Sequence, residues 1–460
     1  MIAEDFGDQC GLSRRHPEEP VASRSSVKRV ELFSDGFCRR ILDNSLALVI
    51  VGVYSIAHLG IYFYRYAMNP ASDFYGAWPA PRIAEWLGKT DEFYTGSVTT
   101  QFHEGLSWSY GPMLHLITLP LFLLPDRQTA YRVLVCVVFA VYLLVGVMLL
   151  LRFSGGDRPL SVALIFVLFN FAPAYEATGQ GNIEMFELLL LTLAIVASRH
   201  EQEHETLTGV LIGVAAGLKF LPGVLIPYFF LTKRWKAAIA STATVGIIGI
   251  STQAILGWQN SALMNRMADV NHKENFSDHP LNQAASGFLI RTTKALGREA
   301  LGVPMAITAM FGLGIGICVW LWRRRKEKDW EVHWSVLLTT SVLVIPHNES
   351  YYFCLLLIPY SVALQVLRAD GRKTLWALYG LSFAMVGWGI PMSIVNSAVD
   401  TILGRHVWVI QWLHEVSVPF IGTVILLALL LIIANRPEGE PSDLNKGRPV
   451  VGVVSPVRQS

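Results

Sequence analysis

Hydrophobic residues make up 52% of this 460-residue chain and charged residues only 16%, with a mean hydropathy of +0.42, which excludes a soluble globular domain and a disordered, charge-rich chain alike. The formal net charge of +2 carries no message about partners by its size; what matters is where Lys and Arg sit relative to the apolar segments. The cysteines show neither disulfide nor zinc spacing, since Cys136, Cys318 and Cys354 fall in apolar segments and Cys10 and Cys38 in the polar N-terminal stretch.

Residues 1–40 are polar and carry Arg14, Arg15, Arg24, Lys28, Arg29, Arg39 and Arg40. They read as a cytoplasmic tail ahead of an uncleaved first span at 46–64. The positive-inside bias then puts 65–111 outside, as a long loop whose Trp78, Trp86, Tyr94 and Trp108 suit a platform at headgroup level. Residues 112–125 are apolar but short, whereas 131–151 is long enough to cross and ends near Arg152 and Arg158. Keeping those arginines inside makes 112–125 a re-entrant or shallow helix. Residues 160–171 return outward, 174–184 form an external turn, and 186–197 go back in.

The stretch 207–231 poses the same parity problem, because Lys233, Arg234 and Lys236 follow it and Lys219, Pro222 and Pro227 interrupt it. A broken helical hairpin entering from the cytoplasm, with Lys219 near its tip, keeps the cations inside. The remaining spans are 237–255, 305–322, 332–345, 351–367, 375–390 and 416–433, which leaves 259–300, 346–350 and 391–415 outside. Residues 436–460, rich in Pro, Gly and Ser, form a disordered cytoplasmic tail. The expected fold class is all-α integral membrane: one multispan helical bundle over 41–435, both termini cytoplasmic, with broken or re-entrant helices.

Chemistry in such a chain falls to residues fixed at the ends of spans. Asp73, in Ser72-Asp73-Phe74-Tyr75, follows the first span closely, where a helix end gives a carboxylate the fixed geometry a general base needs. Lys219 sits in an apolar run, where an unpaired ammonium costs several kcal/mol or snorkels away, so it demands a partner. The preferred partner is a phosphate; the structural alternative is a pair with Glu176, Glu184 or Glu187. Glu184 itself reads as a helix-capping acid. In the Gly179-Gln180-Gly181-Asn182 turn the glycines permit a tight bend, while Gln180 and Asn182 suit a polyhydroxylated ligand. Asn282, Gln283 and Arg291 offer sugar and phosphate contacts, and His347 at a membrane boundary a contact to a leaving phosphate or acceptor. No H-E-x-x-H, EF-hand loop, Walker lysine or cysteine–histidine cluster is present, so no metal and no cofactor are expected.

Several segments together resemble glycosyltransferase family 87, the polyprenol-phosphate-mannose-type mannosyltransferases with the type C membrane fold. They are Ser72-Asp73-Phe74-Tyr75, Tyr110-Gly111-Pro112, Gly179-Gln180-Gly181-Asn182, the run from Ala215 to Pro222, Asn282-Gln283-Ala284-Ala285-Ser286-Gly287, and Ile345-Pro346-His347-Asn348-Glu349. The resemblance implies a plasma-membrane glycosyltransferase that moves a hexose, mannose by default, from a polyprenyl-phosphate donor to a glycolipid, glycan or protein acceptor. Transfer would occur on the extracytoplasmic face with inversion. It implies Asp73 as general base, Lys219, Arg291 and His347 at the donor phosphate, and Tyr110, Gln180, Asn182, Asn282 and Gln283 at the substrate. Many type C relatives carry two adjacent acids in the first loop; here Phe74 follows Asp73, so paired metal binding is not expected. Two rival functions remain: a transporter or flippase of lipid-linked sugars, which broken spans with an intramembrane lysine also suit, and a polyprenyl-diphosphate-glycan ligase or polymerase. Nucleic acid is not an expected partner.

Overall fold

The computed structural model describes residues 45–68, 127–179, 181–198, 204–256, 276–327, 329–370, 372–387 and 415–435, with isolated positions 120, 124 and 413. Among these residues every regular element is helical: α1 Ser45–Met68, α2 Arg127–Ser154, α3 Arg158–Phe169, α4 Ala172–Gly179, α5 Glu184–Ala197, α6 Glu205–Leu218, α7 Leu225–Leu231, α8 Trp235–Leu256, α9 Ala285–Ala295, α10 Gly302–Arg324, α11 Trp330–Val344, α12 Leu357–Asp370, α13 Lys373–Val386 and α14 Val418–Ala434. Short 3₁₀ helices occupy Leu221–Val224, Glu299–Leu301 and Ser350–Leu356. Among the described residues, five helical stretches are long and apolar enough to cross a bilayer, namely Leu46–Tyr64, Gln128–Ser154, Arg158–Gly179, Glu299–Arg324 and Ser350–Asp370. The protein is a multispan helical membrane bundle, as its composition requires.

Local sequence explains where these helices start and stop. Asp157 caps α3 by accepting the Leu160 N–H at 3.2 Å, with Pro159 in the first turn where a missing N–H costs nothing. Pro173 breaks the ladder after α3 but is tolerated as the second residue of α4, so helix resumes at once. This corrects the expected external turn at 174–184. Ala174, Tyr175 and Ala177 are fully buried in α4, and only residues 180–183 separate it from α5. The expected outer loop 259–300 likewise contains α9. The segments 1–40, 69–119, 257–275, 388–412 and 436–460 lie outside the described residues, and with them the first loop and most of the expected re-entrant piece at 112–125.

The helices alternate between two chemically different ends. At one, Arg152 pairs with Glu331, Arg368 with Asp157 at 2.8 Å, and Arg324 donates to the Ala434 carbonyl and to Glu327. At the other, the Tyr131 hydroxyl donates to the Gly179 carbonyl at 2.7 Å, and Lys219 pairs with Glu184. The C-termini of α1, α4, α6 and α11 and the N-termini of α2 and α5 therefore share the second end. An aromatic stack seats α1 there: Tyr62 lies on Tyr175 with ring centroids 4.2 Å apart, and His58 meets Tyr175 edge-on at 5.0 Å.

The expected hairpin at 207–231 is present. Pro222 cannot continue α6, because it lacks an N–H and its ring would strike the carbonyl four residues back. Lys219 is accordingly extended, at φ −153° and ψ 141°, and 221–231 runs back toward the arginine-rich end. There the Ala237 N–H donates to Glu205 at 3.3 Å, which sets α8 beside the start of α6. The two helices then run parallel along a seam of glycines four residues apart: Gly209 lies against Ala237 and Ala240, Gly213 against Ser241 and Thr244, and Gly217 against Ile248. Small residues at this spacing let backbones approach closely where no hydrophobic effect drives association. A Cβ on Gly213 would stand 2.6 Å from Thr244 Cβ and 2.7 Å from the Ser241 carbonyl oxygen. Gly213→Val should therefore cost about 1–3 kcal/mol by overpacking, read as a lower melting temperature in detergent, whereas Gly246→Val on α8, with open space around it, should be neutral.

Candidate active site

The site begins at the turn that ends α4. Gly181 is left-handed, at φ +67°; its N–H donates to Thr178 O at 3.1 Å, and the Asn182 N–H reaches Ala177 O at 2.9 Å. That double closure is a Schellman motif, which needs glycine at the left-handed position. It turns the chain directly into α5 with Asn182 buried and Glu184 and Glu187 in the first helical turn.

Because α5 and α6 are antiparallel neighbours, the start of one meets the end of the other. Glu184 is fully buried, the Lys219 side chain is 12% exposed, and the two form an ion pair. The carboxylate is thus turned across to the lysine instead of capping its own helix, which corrects the capping expectation. The ammonium also lies 3.7 Å from the Tyr352 ring centroid and 5.5 Å from that of Tyr351, and the two tyrosines stack at 4.9 Å. Glu187, one turn into α5, is buried within the field of Lys219 and Glu184, and neither of its carboxyl oxygens has a hydrogen-bond partner among the described residues. Two carboxyls, one ammonium and two aromatic faces thus form one buried cluster. Ionisable groups so placed in a membrane bundle mark function by default. Tyr352 and Glu187 were not singled out from sequence as site residues; for Glu187 the signal was its position three residues after Glu184, on the same helix face.

A second group is stitched beside it. The loop before α9 docks on the turn after α11: Gln283 N–H donates to Asn348 O at 2.6 Å, and Ser286 Oγ donates to Pro346 O. Asn282 holds this junction together. Its Nδ2 donates to Ser277 O, Ser286 Oγ and Pro346 O, each at 3.3 Å, and its Oδ1 accepts from Ala284 and Asn348 N–H, each at 3.2 Å. The Asn282 amide is therefore filled by the scaffold, and the sugar contact expected of it has no group to make it. Gln283 is fully buried, with Nε2 donating to Pro280 O at 2.5 Å. Arg291 is likewise committed, to His279 O and Ser417 Oγ, both at 2.7 Å, which ties α9 to the start of α14.

His347 differs from these. Its Nε2 lies 3.1 Å from Glu349 Oε1, its Nδ1 is buried without a hydrogen-bond partner among the described residues, and the side chain is 26% exposed. It precedes the 3₁₀ helix that carries Tyr351 and Tyr352 and packs against α4 and α5, so His347 and the Lys219 cluster belong to one end of the bundle. Asp73, Tyr110 and Gln180 lie outside the described residues.

The model of glycosyltransferase family 87 matches residues 108–346, more than half of the chain. The chain belongs to glycosyltransferase family 87. That family is one of membrane glycosyltransferases. The match runs from α2 through α11 and takes in Glu184, Glu187, Lys219 and Asn282; Asp73 precedes it and His347 and Tyr352 follow it. The protein is also 28% identical over 148 residues to the polyprenol-phosphate-mannose-dependent alpha-(1-2)-phosphatidylinositol pentamannoside mannosyltransferase of Mycolicibacterium smegmatis. That stretch covers 31% of this chain and 34% of the relative, so the chain matches about a third of that relative's length. No solved structure matches it.

Proposed function

We propose that this family 87 glycosyltransferase moves a hexose, mannose by default, from a polyprenyl-phosphate donor to a hydroxyl of a glycolipid, glycan or protein acceptor, with inversion. The observation that carries this reading is the convergence, at one end of the bundle, of the Lys219 cluster, the His347–Glu349 turn and the C-terminus of α1. The opposite end holds Arg152, Arg158, Lys233, Arg323, Lys326 and Arg368, and the positive-inside bias assigns that end to the cytoplasm. Transfer is then extracytoplasmic, at the level where a polyprenyl donor holds its phosphate while its chain stays in the bilayer. The polyprenol-phosphate-mannose dependence named for the mycobacterial relative supports the donor class.

Asp73 is five residues past Met68, a tether of at most about 18 Å from the end of α1. As general base it takes the proton from the acceptor hydroxyl. That oxygen bonds to the anomeric carbon from the face opposite the phosphate. The bond from the anomeric carbon to the phosphate oxygen breaks, and its electron pair leaves with polyprenyl phosphate. The leaving group needs positive charge more than a proton. With Arg291 committed to the scaffold, we assign that contact to His347, whose side chain is partly exposed, and to Lys219, whose ammonium carries three donors. Gln180, Asn182 and Tyr110 are assigned to the sugar.

Incubating the purified protein with radiolabelled polyprenyl-phosphate-mannose and membrane lipid extract should yield a labelled glycolipid whose anomeric configuration is opposite to the donor's. A folded protein that transfers nothing from this donor overturns the donor assignment, and retained configuration overturns the single displacement. His347→Gln should lower kcat/KM by roughly 10–100-fold, the worth of one hydrogen bond to a charged group, and an unchanged value removes His347 from the phosphate site.

A further inference from the structure

A groove of about 1600 Å³ opens between α7 and α10, reaching from the arginine-rich end as far as Val344 at the end of α11. Its walls are apolar, formed by Phe230 from α7 and by Phe311, Ile315 and Val319 along α10, all exposed on the surface of the bundle. Its mouth is of the opposite character: Lys233, Arg325 and Lys326 line it, with Trp235 and Trp322 beside them and no acidic residue among the lining. Arg325 is held in place by its own neighbour, with its guanidinium 4.2 Å from the Trp322 ring centroid and Nη1 donating to Trp322 O at 2.5 Å.

Lys233 adds an independent observation. It occupies the left-handed position of the turn that ends α7, at φ +60°, with its N–H donating to Phe230 O at 3.2 Å and the Arg234 N–H to Phe229 O at 2.9 Å. Glycine is the ordinary residue at that position of a Schellman motif, and a side chain there is strained. A non-glycine residue in this conformation, placed at the mouth of the groove, supplies a charge there at a backbone cost.

The geometry points to a binding site for one anionic glycerophospholipid of the cytoplasmic leaflet, its acyl chains along the α7–α10 walls and its phosphate among Lys233, Arg325 and Lys326. Charge complementarity selects the occupant: an apolar groove alone would take any lipid, but a mouth of cations without an acid favours a net negative headgroup. Trp235 and Trp322 suit that depth, since such rings sit at the headgroup level. Its basic mouth lies at the end of the bundle opposite Lys219, and the assignment does not depend on the donor proposed above.

The test uses the full-length protein in phosphatidylcholine nanodiscs titrated with phosphatidylglycerol, with bound lipid counted by native mass spectrometry and stability followed by thermal unfolding. One phosphatidylglycerol should be retained per chain, and the triple variant Lys233→Gln, Arg325→Gln, Lys326→Gln should weaken its retention at least tenfold. Lys373→Gln, at the same end but outside the groove, should leave it unchanged. Lys233→Gly should raise the melting temperature in lipid-free detergent by relieving the turn, yet shrink the further rise produced by phosphatidylglycerol. Equal retention of phosphatidylcholine and phosphatidylglycerol, equal losses in the triple variant and Lys373→Gln, or displacement of phosphatidylglycerol by polyprenyl phosphate would each overturn the assignment.

Discussion

Asp73→Asn is expected to lower glycosyl transfer by about 10²–10⁴-fold, the usual share of a general base, with KM for both substrates little changed. The amide keeps the shape of the carboxylate and its capacity to accept a hydrogen bond from the acceptor, but it cannot take the proton as the acceptor oxygen bonds to the anomeric carbon. An interaction made only in the transition state lowers kcat and kcat/KM together. The pH profile supplies a second readout. The acid limb of the wild-type profile reports protonation of the base, so rate falls as pH drops through its pKa, and the residual activity of Asp73→Asn should lack that limb. Normal turnover by folded Asp73→Asn, or an unchanged acid limb, would place the base elsewhere; Glu187, a carboxyl at the same end of the bundle, would be the next residue to change.

Lys219→Met should destabilise the bundle by about 3–5 kcal/mol, the cost of removing one partner of a buried ion pair, because it leaves Glu184 and Glu187 together without a cation. The loss is measured as thermal unfolding in detergent at fixed protein concentration. Adding Glu184→Gln should recover much of it, since the second change removes the charge that the first left unpaired; strict additivity of the two would mean that the pair carries no coupling. The double variant also separates two roles of the lysine. If it is stable yet transfers slowly from a polyprenyl-phosphate donor, Lys219 contributes to phosphate binding beyond holding Glu184. If stability and transfer return together, its work is to order the α5–α6 junction and the stacked tyrosines.

Much of this architecture is legible from the chain alone, because a bilayer imposes strict local rules. Apolar runs separated by clusters of Arg and Lys set the alternation of spans, and the parity conflict at 207–231 has one physically sensible solution, a hairpin broken before Pro222. The left-handed turn at Gly181 follows from the absence of a Cβ. Other features escaped because they depend on what lies opposite. Residues 174–184 read as an external turn, whereas Pro173 sits in the first turn of a helix over 172–179. The glycines of α6 carry no message until α8 is found running parallel beside them.

The same division runs through the site. Lys219 announced from sequence that it needed a partner, since an ammonium in hydrocarbon is costly, and the candidates were Glu176, Glu184 and Glu187. The antiparallel approach of α5 and α6 selected Glu184, and the 3₁₀ helix after α11 slid Tyr352 beneath the ammonium. Asn282 looked like a ligand contact and proved to be filled by Ser277, Ala284, Ser286, Pro346 and Asn348. Sequence by itself determined the membrane class, the span alternation and which residue types stand near the polar ends, because burial cost and backbone geometry act locally. Tertiary structure decided which charge meets which and which amides are already spent, because a hydrogen bond or ion pair is a property of two surfaces brought together.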